Sequence, residues 1–572
     1  AYLGDGIADT VLHVLSQVDG LTVTARTSSF AFRDRDMTVS EIAQQLGVAH
    51  ILEGSVQRAG DQLRIITRLI EARRGRELWS GNFDRGVEEI FAIQDEIARE
   101  VVASMGVVVL ADDRERLENE YHPDLKAYEL YVLARRDMDR GTADSVARAV
   151  ERLERAIEID PEYALAYTAL STALFHHTRA NRAMSIPEQV KRRAELAEKA
   201  LELDPTLAEA WNEMSAVYAE RKEWDKASEA IQKALELNPN SAEAWAGYWN
   251  MLLLKGDREE GLRAIRKAVE LDPESIRYQT SLAQQLFELS RAEEAIYVLR
   301  ESVERHPDAP QVYVALARYL NQVGEPGEAM WYLQAIHRRD PENLMIFNLV
   351  CQQYWQLWDI PSAIDCLERQ IAVDANNLDA RKWLAWLKGE DEEAARLARI
   401  EVEQRPTHWY PKMQLADGLS RLGEWDEIIE TVTSAFPELM GADPQINDWN
   451  QWGARKLIEA LIKTGQTEQA NMLVEATLTH FERSRRLQAG GFMAGPEDAL
   501  VYSLVGEYDQ ALESLEKAIV RDWTFFSLAV VEDSAFNALR EDARFVELVD
   551  RLAQKMAEER AWYEAHKDDL VL

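Results

Sequence analysis

The histidines, carboxylates and glycines of this chain do not fall into the spacing of a known catalytic site. The sequence has no GxxxxGK[ST] phosphate loop, no HExxH metal motif and no GxSxG nucleophile motif. His176 and His177 are adjacent, and neighbouring helical residues point about 100° apart, so the pair is poorly placed to chelate one metal ion. The 101 acidic residues make chance carboxylate pairs inevitable. We therefore expect no enzyme activity, no cofactor and no metal site.

Tryptophan is the second residue type that could recognise a ligand. The chain has 16 tryptophans, and some occur in pairs three residues apart, as in Trp355/Trp358, Trp383/Trp386 and Trp449/Trp452. Two interpretations are open. The pairs fill the core where a sequence repeat loses its period, or they form an aromatic wall for a ligand.

The element that must position these residues is a repeat of 34 residues. Prolines at Pro205, Pro239, Pro273, Pro307 and Pro341 mark its period. Between them, apolar residues at i, i+3 or i+4 and i+7 predict two amphipathic helices in each repeat. An early Trp, a Tyr, two Ala and the closing Pro make this pattern similar to the tetratricopeptide repeat. Because one helical hairpin cannot bury its own apolar face, the resemblance implies a stacked solenoid.

The resemblance also implies a binding groove, because the first helix of each tetratricopeptide hairpin lines the concave surface. Amides dominate the inward positions, and an amide both donates and accepts hydrogen bonds, which suits the backbone of an extended peptide. Arg318 could bind a carboxylate through two hydrogen bonds. We predict that a protein or peptide binds to Asn212, Asn250, Gln284, Arg318, Asn321, Asn348, Gln352 and Trp355. The alternative for each residue is a solvated helix face.

The first hundred residues have a different periodicity. Alternation predicts strands at 21–26, 50–57, 63–70 and 77–80, and amphipathic patterns predict helices at 7–18, 39–46 and 88–105. Gly4 and Gly6 are interpreted as turn glycines, and Gly54 as a point of close backbone approach or a bulge beside Glu53, which could pair with Arg64. The predicted fold is α+β overall. It has a small N-terminal α/β domain at 1–112, an all-α tetratricopeptide-repeat solenoid at 122–520 and a C-terminal helical cap at 521–572.

Several runs in this first part resemble the TolB-N/FlgO-like domain of bacteria. They are Gly4-Asp5-Gly6-Ile7, Arg26-Thr27-Ser28-Ser29-Phe30, Leu52-Glu53-Gly54-Ser55-Val56 and Ile90-Phe91-Ala92-Ile93-Gln94-Asp95-Glu96-Ile97. The family usually has a strand just before the Gly4 region, and that strand is missing here. The resemblance implies a region that follows a membrane helix in CadC/ToxR-like winged-helix regulators, or that is linked to a nucleotide cyclase. Such regions lie in the periplasm, so a membrane anchor is expected upstream of Ala1.

Net charge limits the classes of partner, and the two cysteines allow two redox states. The net charge of −36 disfavours binding of nucleic acid by this region. For Cys351 and Cys366 we expect two buried free thiols, with one disulfide inside a hairpin as the alternative. The predicted function is non-catalytic: a protein-interaction and sensory region of a membrane-anchored signalling or transcriptional regulator. The alternative function is a free-standing scaffold or assembly subunit of an envelope complex.

Overall fold

The structure is a computed structural model that describes residues 2–569 except 19, 34, 36, 107–120, 141, 182–185, 448, 487–495, 522 and 525–526. The chain divides into two compact units, Ala1–Leu282 and Ala283–Leu572. The predicted boundary between 112 and 122 falls largely on residues outside the described ranges.

The first unit begins with a small domain of helices and one antiparallel sheet. Its elements are α1 (Tyr2–Ser16), α2 (Arg26–Phe30), α3 (Val39–Leu46), β1 (His50–Ala59), β2 (Gln62–Glu71), β3 (Arg76–Gly86), a 3-10 turn (Val87–Glu89) and α4 (Ile90–Ser104). The strand order is β1-β2-β3, with both pairings antiparallel. Alternate residues of β2, including Leu63 and Ile65, are buried in one core with α1 and α4. This core explains the period-two pattern of the strand.

Two sequence predictions for this domain were wrong. Residues 21–25 are not a strand, because their hydrogen-bond partners come from the repeats: Asn240 Nδ2 donates to Leu21 O at 2.6 Å, and Ala25 N donates to Leu271 O at 2.9 Å. Gly4 and Gly6 lie inside α1 rather than in turns. At Gly6 a Cβ would be 2.7 Å from the Tyr128 hydroxyl, so glycine is needed for close helix packing.

The sheet corrects a further pairing. Arg64 Nε donates to Asp84 Oδ1 at 2.7 Å, and the position opposite Glu53 is Arg68, so the expected Glu53–Arg64 pair does not form. The expected close approach at Gly54 is confirmed, because a Cβ there would lie 2.8 Å from the Ile66 carbonyl oxygen. The register irregularity lies elsewhere, between Leu69 and Ile70 of β2.

Helical hairpins follow in the first unit. They are α5 (Leu125–Arg140) with α6 (Ala143–Ile159), α7 (Ala164–Asn181) with α8 (Ile186–Leu203), α9 (Ala208–Glu220) with α10 (Trp224–Leu237), and α11 (Ala242–Lys255) with α12 (Arg258–Leu271). Small buried residues such as Ala227 and Ala234 allow close packing within a hairpin. Gly256 ends α11 in a left-handed conformation, with φ of 87°, which glycine adopts without steric cost. The unit boundary falls within α13 (Ile276–Glu288).

The second unit continues with hairpins and ends in a separate helical segment. Its helices are α14 (Ala292–Arg305), α15 (Pro310–Gln322), α16 (Pro326–Arg339), α17 (Leu344–Gln356), α18 (Ile360–Val373), α19 (Leu378–Leu387), α20 (Asp391–Gln404), α21 (Trp409–Leu422), α22 (Trp425–Ala435), α23 (Gln451–Lys463), α24 (Thr467–Arg486), α25 (Glu497–Leu504), α26 (Tyr508–Val520), α27 (Ser527–Glu532) and α28 (Ala543–His566). Short 3-10 turns lie at Pro437–Leu439 and Ser534–Leu539.

The C-terminal segment after α26 contacts two distant parts of the second unit. Phe545 and Leu548 of α28 are buried in one core with Leu515 of α26, as expected for a cap on the last hairpin. The same helix also reaches α16, where Trp331 Nε1 donates to His566 O at 3.1 Å. The C-terminal segment therefore joins the end of the second unit to its beginning.

The two cysteines form a disulfide bond, so the expectation of free thiols was wrong. Cys351 of α17 and Cys366 of α18 are 15 residues apart in sequence. The antiparallel helices of one hairpin bring their Cα atoms to 5.4 Å, which lies inside the range of about 4.4–6.8 Å usual for disulfides.

Candidate functional site

In the first unit, the N-terminal domain lies against the repeat helices that were expected to hold a partner. Tyr128 and Val132 of α5 belong to the core of that domain. His13 Nδ1 of α1 lies 3.0 Å from Glu209 Oε1 of α9, and Asn238 Nδ2 donates to Ser16 Oγ at 3.0 Å. The first repeats therefore already bind a segment of their own chain.

A buried serine fixes the far end of this contact. Ser28 of α2 donates through its hydroxyl to Asp272 Oδ1, and its backbone N donates to the same oxygen at 3.0 Å. The hydroxyl in turn accepts from Glu274 N at 2.8 Å. Burial raises the pKa of Asp272, and the hydrogen bonds from Ser28 oppose that rise.

His13 and Glu209 form a titratable pair in the same contact. Burial alone would lower the pKa of His13, but attraction to Glu209, together with that to Asp9 and Asp204, raises that pKa above 6.5. Burial alone would raise the pKa of Glu209, but the interaction with His13 outweighs it and lowers that pKa below 4.5. At pH values between 4.5 and 6.5, His13 is therefore protonated and Glu209 is ionised.

Two predicted binding residues lie in the first unit. Asn212 of α9 is half-buried, and a Cβ at Gly247 of α11 would lie 2.2 Å from its Oδ1, so this amide packs against the next hairpin. Asn250 of α11 is exposed. The binding role of these two side chains stays a prediction.

Four predicted residues of the second unit are half-buried on the first helices of their hairpins. Gln284 Nε2 donates to Glu288 Oε1 at 3.0 Å, and the Arg318 guanidinium lies 4.7 Å from the Tyr319 ring centre. Asn348 Nδ2 donates to an Asp379 oxygen at 3.3 Å. The fourth residue, Gln352, lies on α17.

The remaining two predicted residues are buried, which corrects the expectation that both face an open groove. Asn321 is 6% exposed and exchanges two hydrogen bonds with Gln353, at 2.9 and 2.8 Å. Trp355 is 2% exposed and packs edge-on against Trp383 and Trp386, with ring centres 5.3 and 5.6 Å apart. Local helix position predicted neither contact, because the partners belong to later hairpins.

A cleft of about 1310 Å³ lies within the second unit. Helices α13, α15, α17, α19 to α23, α25 and α26 contribute to its wall, and so do residues of the C-terminal segment between Trp523 and Arg540. Its aromatic lining consists of Phe287, Trp355, Trp383, Trp386, Trp409, Tyr410, Trp425, Trp449, Trp452, Tyr508 and Trp523. The tryptophan pairs at 383/386 and 449/452 therefore line a cavity, and the first pair also packs on Trp355.

The charges around this cleft balance. Its cations are Lys382, Arg421, Arg455, Lys456, Lys463 and Arg540, and its anions are Asp391, Asp417, Glu459, Glu497, Glu532 and Asp533. Several are paired with each other: Lys456 Nζ lies 3.1 Å from Asp417 Oδ1 and 3.3 Å from Asp533 Oδ2. Burial alone would raise the pKa of Asp533, but the neighbouring cations Arg455 and Lys456 hold it well below the usual range.

Sequence reasoning missed the polar residues of α23. Arg455, Lys456 and Glu459 are all buried, although the sequence of their helix otherwise resembles an amphipathic repeat helix. Three charged side chains within five residues of an apolar helix are a usable signal, because buried charges need partners. Their partners, at Asp417 and Asp533, are too far away in sequence to be identified by spacing.

Within the described ranges, no group of three or more His, Cys, Asp or Glu side chains is arranged to hold a metal ion. In that same part of the chain, no helix combines the length and apolar character needed to cross a bilayer.

Comparison with known proteins identifies the helical repeats. Residues 208–241, 251–310 and 280–343 match the tetratricopeptide repeat family. Solved structures similar to this chain include pilF of Pseudomonas aeruginosa, with 20% identity, coverage of 39% of this chain and 98% of that one, and a TM-score of 0.30. Another is the tetratricopeptide-repeat protein TTC0263 of Thermus thermophilus, with 18% identity, coverage of 34% and 98%, and a TM-score of 0.30. Residues 208–241 and 251–343 are therefore tetratricopeptide repeats, a repeat type that supports protein-protein interactions.

A curated relative comes from Rhizobium meliloti (strain 1021). It is named "Putative adenylate cyclase 3" and is 40% identical over 170 residues. The match covers 30% of this chain and 29% of that protein. The chain therefore spans less than a third of the length of this relative.

Proposed function

We propose that this chain is the non-catalytic interaction and sensory region of a larger bacterial signalling protein. The relative named as an adenylate cyclase supports a signalling context, since 170 residues are shared at 40% identity. The TolB-N/FlgO-like motifs of the first hundred residues point to the same context. Output, in this proposal, is generated by a domain other than the repeats.

A polar stripe in the second unit carries the binding part of the proposal. Gln284, Arg318 and Gln352 are 34 residues apart and lie on α13, α15 and α17. Each precedes a residue of the cleft wall, Phe287, Gln322 or Trp355, by three or four positions. Residues three or four apart share a helix face, so the stripe borders the cleft.

The chemistry of the stripe suits a protein or peptide partner. Two amides can each donate to and accept from a peptide backbone, and the guanidinium between them can bind a carboxylate through two hydrogen bonds. Asn250 of the first unit and Asn348 of the second are proposed as additional contacts with the partner. The N-terminal domain already packs against the repeats of the first unit. The second unit is therefore the better site for a separate protein or peptide.

We also place this region in the periplasm, held at the membrane by a segment upstream of Ala1. The Cys351–Cys366 disulfide supports this location, because disulfides persist in oxidising compartments. Blocking free thiols in intact cells before lysis, and then reducing and labelling the protein, would detect an oxidised pair. Two freely labelled thiols in the native host would contradict the periplasmic assignment.

The binding proposal is tested by affinity capture from a membrane extract of the native host. The bait is residues 1–572, beside the variant Gln284→Ala/Arg318→Ala/Gln352→Ala. A matched control, Arg369→Ala/Gln404→Ala, changes the same residue types at exposed positions of α18 and α20. We expect a partner retained by the wild type and the control and lost by the stripe variant. Equal retention by all three would show that the stripe is not the site.

A further inference from the structure

The cleft of the second unit has features that the protein-binding stripe does not explain. It combines eight tryptophans with a wall to which the C-terminal segment contributes, and Leu528 of that segment packs in one core with Trp355. Ligand pockets usually measure about 300–1,000 Å³. At about 1310 Å³ this cleft exceeds that range, so it has room for a ligand of several rings.

We propose that the cleft binds a neutral oligosaccharide built of pyranose rings. Such a ligand presents flat apolar C–H faces to aromatic rings, and hydroxyl groups that both donate and accept hydrogen bonds at its edges. An aromatic wall with interspersed paired carboxylates, amides and cations matches both features. The inference concerns a site beside the stripe and a different chemical class of ligand, so it does not depend on the proposed protein partner.

Exposed aromatic side chains identify the entrance. Trp449 is 73% exposed, and Tyr410 and Tyr508 are 39% and 40% exposed, yet all three line the cleft. Large apolar side chains gathered at the mouth of a cavity commonly mark a binding site. Tyr410 contacts Trp452 edge-on at 6.2 Å, which continues the aromatic surface into the cleft.

The charge balance argues against an anionic ligand such as a nucleotide. Arg455 Nη1 is already paired with Asp533 Oδ2 at 2.6 Å, and Lys456 is shared between Asp417 and Asp533. Binding a phosphate would require these buried pairs to be broken. Six cations face six anions around the cleft, so no net positive field attracts a polyanion.

The same surroundings argue against a cationic ligand held by aromatic faces. The Arg421 guanidinium lies 4.8 Å from the Trp386 ring centre, and Lys463 Nζ lies 5.9 Å from that of Trp425. Cations of the protein therefore already use two of the indole faces. An uncharged ligand avoids repulsion from them.

Hydrogen-bonding groups for sugar hydroxyls are also part of the cleft wall. Asp417 accepts from Lys456 yet keeps 36% of its side chain exposed, so it retains lone pairs for a hydroxyl donor. Glu459 accepts from Ser420 at 3.2 Å and from Ser534 at 2.6 Å, which holds its carboxylate in place. Charged acceptors fixed in this way form strong hydrogen bonds to neutral hydroxyls.

The test is calorimetric titration of the whole chain with three probes: cellotetraose, maltotetraose and N,N′,N″,N‴-tetraacetylchitotetraose. We expect saturable binding of at least one probe, with a change in tryptophan fluorescence. The affinity for the sugar should change little between about 50 and about 500 mM NaCl, because the sugar is uncharged and the charges around the cleft balance. Trp449→Ala and Tyr508→Ala should each weaken it by about tenfold or more.

The controls separate this inference from the alternatives. Trp562→Ala removes a 38% exposed tryptophan of α28 that is not part of the cleft wall, and should leave binding unchanged. The stripe variant Gln284→Ala/Arg318→Ala/Gln352→Ala should also retain sugar binding. No saturable binding of any probe to folded wild-type protein would overturn the proposal. Capture of a peptide partner that is lost in Trp449→Ala would overturn it as well, by assigning the cleft to peptides.

Discussion

Arg455 Nη1 of α23 donates to Asp533 Oδ2 at 2.6 Å, across 78 residues of sequence. Both side chains are about nine-tenths buried, and Lys456 shares the same carboxylate. This contact joins the C-terminal segment to a repeat helix and forms part of the cleft wall. It therefore links the stability of the second unit to the shape of its cavity.

Replacing Asp533 with Asn should destabilise the second unit strongly. The change leaves Arg455 and Lys456 buried without their shared counter-ion, and breaking a buried pair from one side costs about 3–5 kcal/mol. Urea unfolding followed by circular dichroism measures the change.

A double variant provides the control for this pair. Arg455→Met/Asp533→Leu removes both charges and should be less destabilised than Asp533→Asn alone, since the guanidinium that lost its nearest carboxylate is removed with it. If the single and double variants unfold at the same urea concentration, charge pairing is not the source of stability at this position.

The His13–Glu209 pair should make docking of the N-terminal domain depend on pH. Because the pKa of His13 is raised above 6.5, its contribution is complete below 6.5 and is lost as pH rises through the raised value. Because the pKa of Glu209 is lowered below 4.5, its contribution is present above 4.5 and is lost as pH falls. The pair should therefore contribute most between these two values.

Thermal unfolding of wild type and His13→Gln at two pH values tests this expectation. The stability lost in His13→Gln should be on the order of 1 kcal/mol near pH 5.5 and smaller near pH 8.5. The groups that also face His13 are Asp9, Asp204 and Gln17. An Asp204→Asn variant that keeps the wild-type pH profile would assign the effect to Glu209. An equal loss at both pH values would rule out the ion pair as the cause.

The sequence predicted local structure well where one period governs it. The 34-residue spacing of prolines and apolar residues predicted the hairpins. In the helix predicted at 39–46, Thr38 caps the N-terminus and accepts from Glu41 N. Prediction failed where partners are remote. Residues 21–25 alternate like a strand, but Leu21 and Ala25 form hydrogen bonds with Asn240 and Leu271, which lie in the repeats.

The candidate site divides in the same way. The helix positions of Gln284, Arg318 and Gln352 followed from the repeat register. The burial of Asn321 did not, because its partners are Gln353 and Thr524, the latter from the C-terminal segment. The repeat register determines which residues of a hairpin face inward. Contacts with parts of the chain that are distant in sequence depend instead on how successive hairpins stack, which the register does not specify.

Ser28→Ala should loosen the N-terminal domain from the repeats of the first unit. The hydroxyl is buried, donates to Asp272 and accepts from Glu274 N, so its loss removes two hydrogen bonds from a buried contact. The expected cost is about 1–3 kcal/mol. Hydrogen exchange should speed up at the Ala25 amide, which donates to Leu271 O.

Ser29→Ala is the matched control for this prediction. The Ser29 hydroxyl donates only to nearby backbone, at Ala25 O and Thr24 O, within the described contacts. Its removal should change exchange at Ala25 much less than Ser28→Ala does. Equal effects of the two variants would mean that local turn structure, not the contact with Asp272, holds this segment.

Reduction of the Cys351–Cys366 disulfide should destabilise the second unit, although the hairpin of α17 and α18 should remain folded. The bond closes a loop of 15 residues between α17 and α18, for which the chain-entropy account expects about 3 kcal/mol. Urea unfolding of the wild type with and without reductant measures this difference. Cys351→Ala/Cys366→Ala should match the reduced wild type and should not respond to reductant. Because α17 carries both Gln352 and Trp355, a loosened hairpin should also weaken binding at the stripe and at the cleft. If reduction leaves both stability and binding unchanged, the helix packing alone positions these residues, and the disulfide is dispensable for the site.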